Sequence, residues 1–196
     1  MHIDAHGLLD TSQFIASPNY DERPTGTEIS LLVIHNISLP PNEFGGDGVI
    51  ELFTNQINPQ AHPYYQSLQG LKVSAHFFIR RDGTTIQFVS CHDRAWHAGA
   101  SSWQGKDRCN DYSISIELEG SDTTAFTDAQ YTALAALTQC LCAHYPIKDI
   151  AGHSDIAPGR KTDPGPYFYW QRYTAGINRS DLFRTAGHVS IGHEKL

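Results

Sequence analysis

The sequence predicts an α/β (α+β) fold, a single domain with a β-sheet and helices packed on it. Three stretches carry that expectation. Leu31-Leu32-Val33-Ile34 is a continuous apolar run of strand length, which reads as a strand buried on both faces. Tyr112 to Leu118 alternates, with Tyr112, Ile114, Ile116 and Leu118 on one side and Ser113, Ser115, Glu117 and Glu119 on the other. That pattern predicts one core face and one polar face. Thr127-Asp128-Ala129-Gln130 is a capping box that opens a helix running to about His144.

Taken in order, residues 1–28 are loop-rich and predict an irregular arm. After the first strand, Pro40-Pro41 and Gly45-Gly46 break the chain, and Val49 to Gln56 fits a short helix before a polar loop over 57–70. His76 to Arg80 and Thr85 to Val89 flank Asp82-Gly83, the strongest short hairpin signal. A loop over about 91–111 leads into the alternating strand. In the capped helix Leu134, Leu137 and Leu141 form the buried stripe, and Pro146 stops it. Ile150-Ala151-Gly152 fits a last short strand. Pro158, Pro164 and Pro166 argue against regular structure across 154–166. Tyr167 to Tyr173 fits a short aromatic helix, and the weakly patterned end fits a tail. The expected organisation is an arm over 1–28, a domain over 29–178 and a tail over 179–196.

Composition narrows the function classes. The 196 residues are 40% hydrophobic and 18% charged, ordinary values for a folded domain. The net charge of −7, without any basic run, argues against nucleic acid as a partner. No apolar stretch approaches the ~20 residues that span a bilayer, and the first residues lack the charged and apolar parts of a signal peptide. Cys91, Cys109, Cys140 and Cys142 are too few and scattered for a disulfide scaffold, which points to reduced thiols in the cytoplasm. A monomer is the expected state.

Among eleven histidines, two stand where strands give out. His35 ends the apolar run, as either a satisfied rim residue or a ligand. His153 follows Ile150-Ala151-Gly152, and Asp163 lies ten residues on, in the proline-stiffened loop. Two histidines and a carboxylate are a common catalytic zinc set, with the fourth position left for water. Spacing alone leaves that set open. Lys161 and Asp163, two apart in an extended stretch, can project to one side, as a surface ion pair or as a cation beside a metal-bound carboxylate. Glu117, on the polar face of its strand, is either solvent-facing or a general base in a cleft. Arg94-Ala95-Trp96-His97-Ala98-Gly99 fits a packing anchor or an aromatic loop that receives a sugar ring.

Together the segments 32–41, 73–83, 94–99, 109–120 and 152–166 resemble the AmpD-type amidases. These are a branch of the zinc N-acetylmuramoyl-L-alanine amidase family that also contains peptidoglycan-recognition proteins and phage lysozyme-type amidases. The resemblance runs in order from Ser17 to about Ala175. It implies a mixed central sheet flanked by helices, with one Zn2+ at the floor of a surface groove. It implies His35, His153 and Asp163 as zinc ligands, Glu117 as general base and Lys161 as transition-state stabiliser. Asn36, Lys72, Trp96, His97 and Arg108 would then stand beside the substrate. The implied activity is hydrolysis of the amide between (1,6-anhydro-)N-acetylmuramic acid and L-alanine of the stem peptide. Soluble anhydro-muropeptides are the implied partners, in cytoplasmic peptidoglycan recycling. Two positions depart from the family pattern. Lys72 stands where an arginine is expected, exchanging a bidentate fork for a point charge. Ser115 stands where glycine is usual, a change expected to matter little on a strand. The rival readings are an enzyme of the same fold acting on polymeric peptidoglycan and a non-catalytic muropeptide sensor.

Overall fold

The computed structural model describes residues 1–177 and 180–182. In chain order its elements are β1 (Gln13–Phe14), β2 (Tyr20–Glu22), β3 (Leu31–Ile37), α1 (Gly48–Phe53), β4 (Phe77–Ile79), β5 (Thr85–Gln87), β6 (Asp93–Ala95), β7 (Ser102–Trp103), β8 (Lys106–Asp107), β9 (Ser113–Glu119), α2 (Asp128–His144), β10 (Asp149–Gly152), α3 (His153–Ile156) and α4 (Trp170–Ile177). Short 3-10 turns cover Pro63–Leu68, Cys109–Asp111 and Ser180–Leu182. The predicted tail lies outside the described residues apart from that last turn.

Six strands form one mixed sheet in the order β1-β5-β4-β9-β3-β10. All neighbouring pairs are parallel except β4 with β5. Strands β3 and β9 are both internal, and both faces of each are covered, as expected for parallel strands. This confirms the reading of Leu31–Ile34 and corrects that of Tyr112–Leu118. Every residue of β9 is buried, and its polar column faces protein and a groove rather than open solvent. Alternation correctly separated the two faces but could not report what covers the second.

On one face Leu32, Ile34, Ile114, Ile116 and Leu118 pack with Leu134, Leu137 and Leu141 of α2 and with Tyr173 and Ile177 of α4. The other face carries two smaller apolar clusters. Phe78, Ile86 and Phe88 meet Val49, Leu52 and Phe53 of α1. Leu31 and Val33 meet Ala98, Trp103 and Ile156. The registers Phe78↔Glu117 and Val33↔Ser115 set the polar column Ser113, Ser115, Glu117 between those clusters. A polar seam thus crosses an otherwise apolar face.

The capping box forms as predicted. Thr127 Oγ1 accepts from the Gln130 N–H at 3.1 Å and Gln130 Oε1 accepts from the Thr127 N–H at 3.1 Å. Gln130 Nε2 also donates to the carbonyls of Ile79 and Glu119, tying the helix start to the sheet. The β4–β5 hairpin closes through Arg81-Asp82-Gly83, with the Arg80 N–H donating to the Thr84 carbonyl at 2.9 Å. Gly83 has φ +87°, and a side chain there would meet the Ala129 carbonyl at 3.0 Å, so both backbone and space require glycine.

Three expectations need adjustment. The 91–111 loop contains β6, the β7–β8 hairpin and a 3-10 turn, too short to leave a periodic signal. A single turn, α3, forms before Pro158 where the prolines argued for none. The N-terminal segment is irregular yet anchored: β1 pairs with β5, β2 pairs with β6, and Ile3 and Leu9 join the main core. Arg23 donates to the carbonyls of Cys91, Asn110, Asp111 and Ser113, and burial lowers its pKa to about 10.

Candidate active site

Parallel strands deliver side chains to one edge of a sheet, and ligands gather at the carboxyl ends. Here β3, β9 and β10 end at a groove of about 830 Å³. His35 lies near the end of β3, directly opposite Glu117 on β9. The register Gly152↔Ile34 brings His153, the next residue of the chain, alongside His35. Asp163 comes from the proline-rich loop, which the Ser154 N–H fastens by donating to the Asp163 carbonyl at 2.9 Å. That loop sits so close to β10 that a Cβ on Gly152 would be 2.8 Å from Pro164 Cδ.

Three donor atoms converge. His35 Nδ1 and His153 Nδ1 are 2.9 Å apart, and Asp163 Oδ2 is 3.1 Å from each. Three mutual contacts cannot all be hydrogen bonds, because two neutral imidazoles supply too few protons on these atoms. The far nitrogen of His153 settles its tautomer: Nε2 lies 3.2 Å from the Ala98 carbonyl, which can only accept. Nε2 therefore carries the proton and Nδ1 offers a lone pair. Two imidazole nitrogens and a carboxylate oxygen, mutually in contact, fit a cation with zinc's preferences.

The electrostatics agree with that fit. Burial lowers the His35 pKa to about 4, against the opposing pull of the Asp163 carboxylate, so the imidazole is held neutral. Burial pushes the Asp163 carboxyl up, but its close contacts with the His153 and His35 rings outweigh that and hold it well below the ordinary range. Glu117 moves the other way. Burial raises its pKa well above the ordinary value, Asp163 adds to the rise, and Lys161 opposes both. Its Oε1 is 3.9 Å from His35 Nδ1, and Oε2 is buried without a hydrogen-bond partner. An unpartnered carboxylate oxygen beside three metal-type donors is the kind of perturbed group that clusters at functional sites.

The remaining predicted residues divide. Asn36, Lys72, Trp96, His97 and Lys161 all line the groove. Asn36 commits its amide hydrogens to Asp122 Oδ1 at 2.8 Å and the Pro164 carbonyl at 3.0 Å. Trp96 donates its indole N–H to Asp21 at 2.7 Å. His97 is engaged by protein at both ring nitrogens, at 3.0 Å from His35 Nε2 and 2.9 Å from Ser113 Oγ. It stands behind a ligand-type histidine. Arg108 does not reach the groove lining in this structure; its side chain is exposed and pairs with Asp111 at 3.1 Å.

Several contributors carried no sequence signal. Asp122, in the turn after β9, accepts from Asn36 and from Thr162 Oγ1 and so links β3 to the loop of Lys161 and Asp163. Asn110 Oδ1 accepts from the N–H groups of His97 and Ala98, and Arg160 donates to the carbonyls of Ala98 and Ala100. Ser113 was detectable, since alternation placed it on the face of Glu117. Ser115 proves more than a tolerated departure. Its Oγ accepts from the His76 N–H at 3.0 Å, and its own N–H donates to His76 Nδ1 at 3.0 Å.

The family model for N-acetylmuramoyl-L-alanine amidase matches residues 25–166. The chain is 55% identical over 176 residues to the 1,6-anhydro-N-acetylmuramyl-L-alanine amidase AmpD of Citrobacter freundii, covering 89% of this chain and 94% of that one. A crystal structure of a selenomethionine AmpD derivative superposes with a TM-score of 0.88 at 55% identity, over 90% of this chain and 99% of that chain. The Escherichia coli amidase AmiD, in complex with anhydro-N-acetylmuramic acid-L-Ala-D-γ-Glu-L-Lys, gives a TM-score of 0.57 at 28% identity, over 81% of this chain and 65% of that chain.

Proposed function

Because the chain belongs to the N-acetylmuramoyl-L-alanine amidase family, we propose that its groove hydrolyses the amide joining 1,6-anhydro-N-acetylmuramic acid to the L-alanine of a stem peptide. One observation carries this reading: His35 Nδ1, His153 Nδ1 and Asp163 Oδ2 converge beside the unpartnered carboxylate oxygen of Glu117. The three converging residues would hold one Zn2+. Bound there, the ion supplies Lewis acidity toward the scissile carbonyl and lowers the pKa of water it holds.

The chain's own residues perform the proton work. Glu117 takes a proton from the attacking water and returns it to the leaving amine of L-alanine, a role suited to its raised pKa. Lys161 offsets the negative charge that develops on the carbonyl oxygen. Tyr64, Leu68 and Leu71 give the groove an apolar wall. Lys72, also in the groove lining, meets a peptide carboxylate as a single charge, and the Asn36 carboxamide oxygen serves as an acceptor for the substrate. AmiD binds an anhydro-sugar tripeptide, and we extend that ligand class to this groove. The proposed setting is the cytoplasm, with soluble muropeptides as substrates and a single chain as the working unit.

The test is product analysis by mass spectrometry on an anhydro-muramyl tripeptide and on intact sacculi, each with and without a zinc chelator. Release of stem peptide from the soluble fragment, abolished by chelation and restored by zinc, is the expected result. Comparable cleavage of sacculi would make this an enzyme of the polymer, and cleavage of neither would leave a muropeptide sensor.

A further inference from the structure

The polar seam behind the metal-type donors contains a histidine that the reaction above does not use. His97 lies on the loop between β6 and β7, its Nδ1 3.0 Å from His35 Nε2 and its Nε2 2.9 Å from Ser113 Oγ. Its ring meets that of His35 edge-on, with centroids 5.1 Å apart. Asn110 holds this loop from below, accepting from the N–H groups of His97 and Ala98. The two ligand-type histidines are thus backed by consecutive residues of one loop, His153 by the Ala98 carbonyl and His35 by the His97 ring.

We infer that His97 is a positioning residue for the metal centre, which accepts the Nε2 proton of His35 and so turns the Nδ1 lone pair toward the ion. The inference rests on the reading of His35, His153 and Asp163 as zinc ligands. The proton order follows. If His35 Nδ1 serves a cation, its one proton must sit on Nε2, where it donates to His97 Nδ1. His97 then carries its own proton on Nε2 and donates it to Ser113 Oγ, which has lone pairs to receive it. A carbonyl behind His153 enforces its tautomer outright. An imidazole behind His35 can accept only while its own proton sits on Nε2, an arrangement that the Ser113 hydroxyl accommodates as acceptor. Partners of this kind around bound metals are typically worth about 10- to 100-fold in affinity.

The test is zinc affinity, read by competition with a chromogenic chelator on the full-length chain. Wild type is compared with His97→Phe, which keeps a ring but no acceptor, and His97→Gln, whose amide oxygen can accept. Expected are a loss of about 10- to 100-fold in His97→Phe and substantial recovery in His97→Gln. Equal zinc affinity in wild type and His97→Phe would overturn the inference while leaving the metal site intact. Failure of wild type to bind zinc would instead remove the reading beneath it. Should His97→Phe not fold, long-range 1H–15N spectra of the zinc-loaded wild type decide. A proton on His97 Nε2 and none on Nδ1 supports the relay, and the opposite tautomer ends it.

Discussion

Burial and the nearby Asp163 carboxylate both disfavour ionised Glu117, while Lys161 favours it. A cation held by the neighbouring donors would restore ionisation, so the charge state of this residue is coupled to metal loading. Glu117→Gln preserves shape but cannot take a proton. It should retain zinc and lower kcat by about 10²- to 10⁴-fold, the usual contribution of general acid–base catalysis. Steady-state kinetics beside a metal determination checks this, and near-wild-type turnover would refute the base assignment. Ser115 carries a second argument at this scale. Its hydroxyl accepts from the buried His76 N–H, so Ser115→Gly leaves a donor unpaired in the interior. A loss of about 1–3 kcal/mol is expected, measurable by urea denaturation at neutral pH.

Helix α2 and the β4–β5 hairpin are the elements whose local sequences agree most fully with their tertiary setting. The cap of α2 does two jobs, closing the first turn and hydrogen-bonding to the hairpin through Thr127 Oγ1 and the Arg81 carbonyl at 2.6 Å. Thr127→Ala should therefore cost at least the ~1 kcal/mol of an ordinary N-cap, with kcat unchanged because the helix packs on the face away from the groove. Thermal or urea unfolding checks the first statement and turnover the second. The strands were legible to different degrees. Apolar continuity suffices to mark β3 as covered on both faces, whereas the alternation of β9 describes an amphipathic strand and does not reveal that a groove and two clusters cover its polar side. Strands of two or three residues, such as β6 to β8, contain fewer residues than a period needs to repeat.

Across the molecule, neutral histidines are built into the interior. Burial lowers His76 to about 3 and His35 to about 4, and burial also holds His97 well below the ordinary range. The unfolded chain takes up protons on these residues near the ordinary pKa of about 6.5, the folded chain only at lower pH. Each therefore contributes stability that is complete above about pH 6.5 and is lost as pH falls toward 3–4, at about 1.4 kcal/mol per pH unit. The depressed Asp163 carboxyl acts in the same direction at still lower pH. The metal-free protein should show a thermal midpoint that is flat above pH 7 and falls steeply between pH 6.5 and 4. Replacement of His76 by asparagine should reduce the proton uptake on unfolding by about one. An unchanged midpoint across that range would mean that the native state already protonates these rings.

Local chemistry in the chain was enough to determine the strand–helix alternation, the capped helix and the hairpin, whereas His35, His153, Asp163, Glu117 and Lys161 were named as a set only by the family resemblance that long ordered motifs carry. Those features depend on neighbours within a few residues, or on side-chain types that zinc and proton transfer require. Tertiary structure alone decided which residues stand in contact. The parallel register of β3 with β9 and β10 brings His35, Glu117 and His153 together across most of the chain, and no local pattern encodes a register. The same packing sets His97, itself in the groove lining, against the far nitrogen of His35, makes Ser115 a partner of buried His76, and leaves Arg108 paired with Asp111. A side chain's type follows from the sequence, but its partner follows from which strands lie side by side.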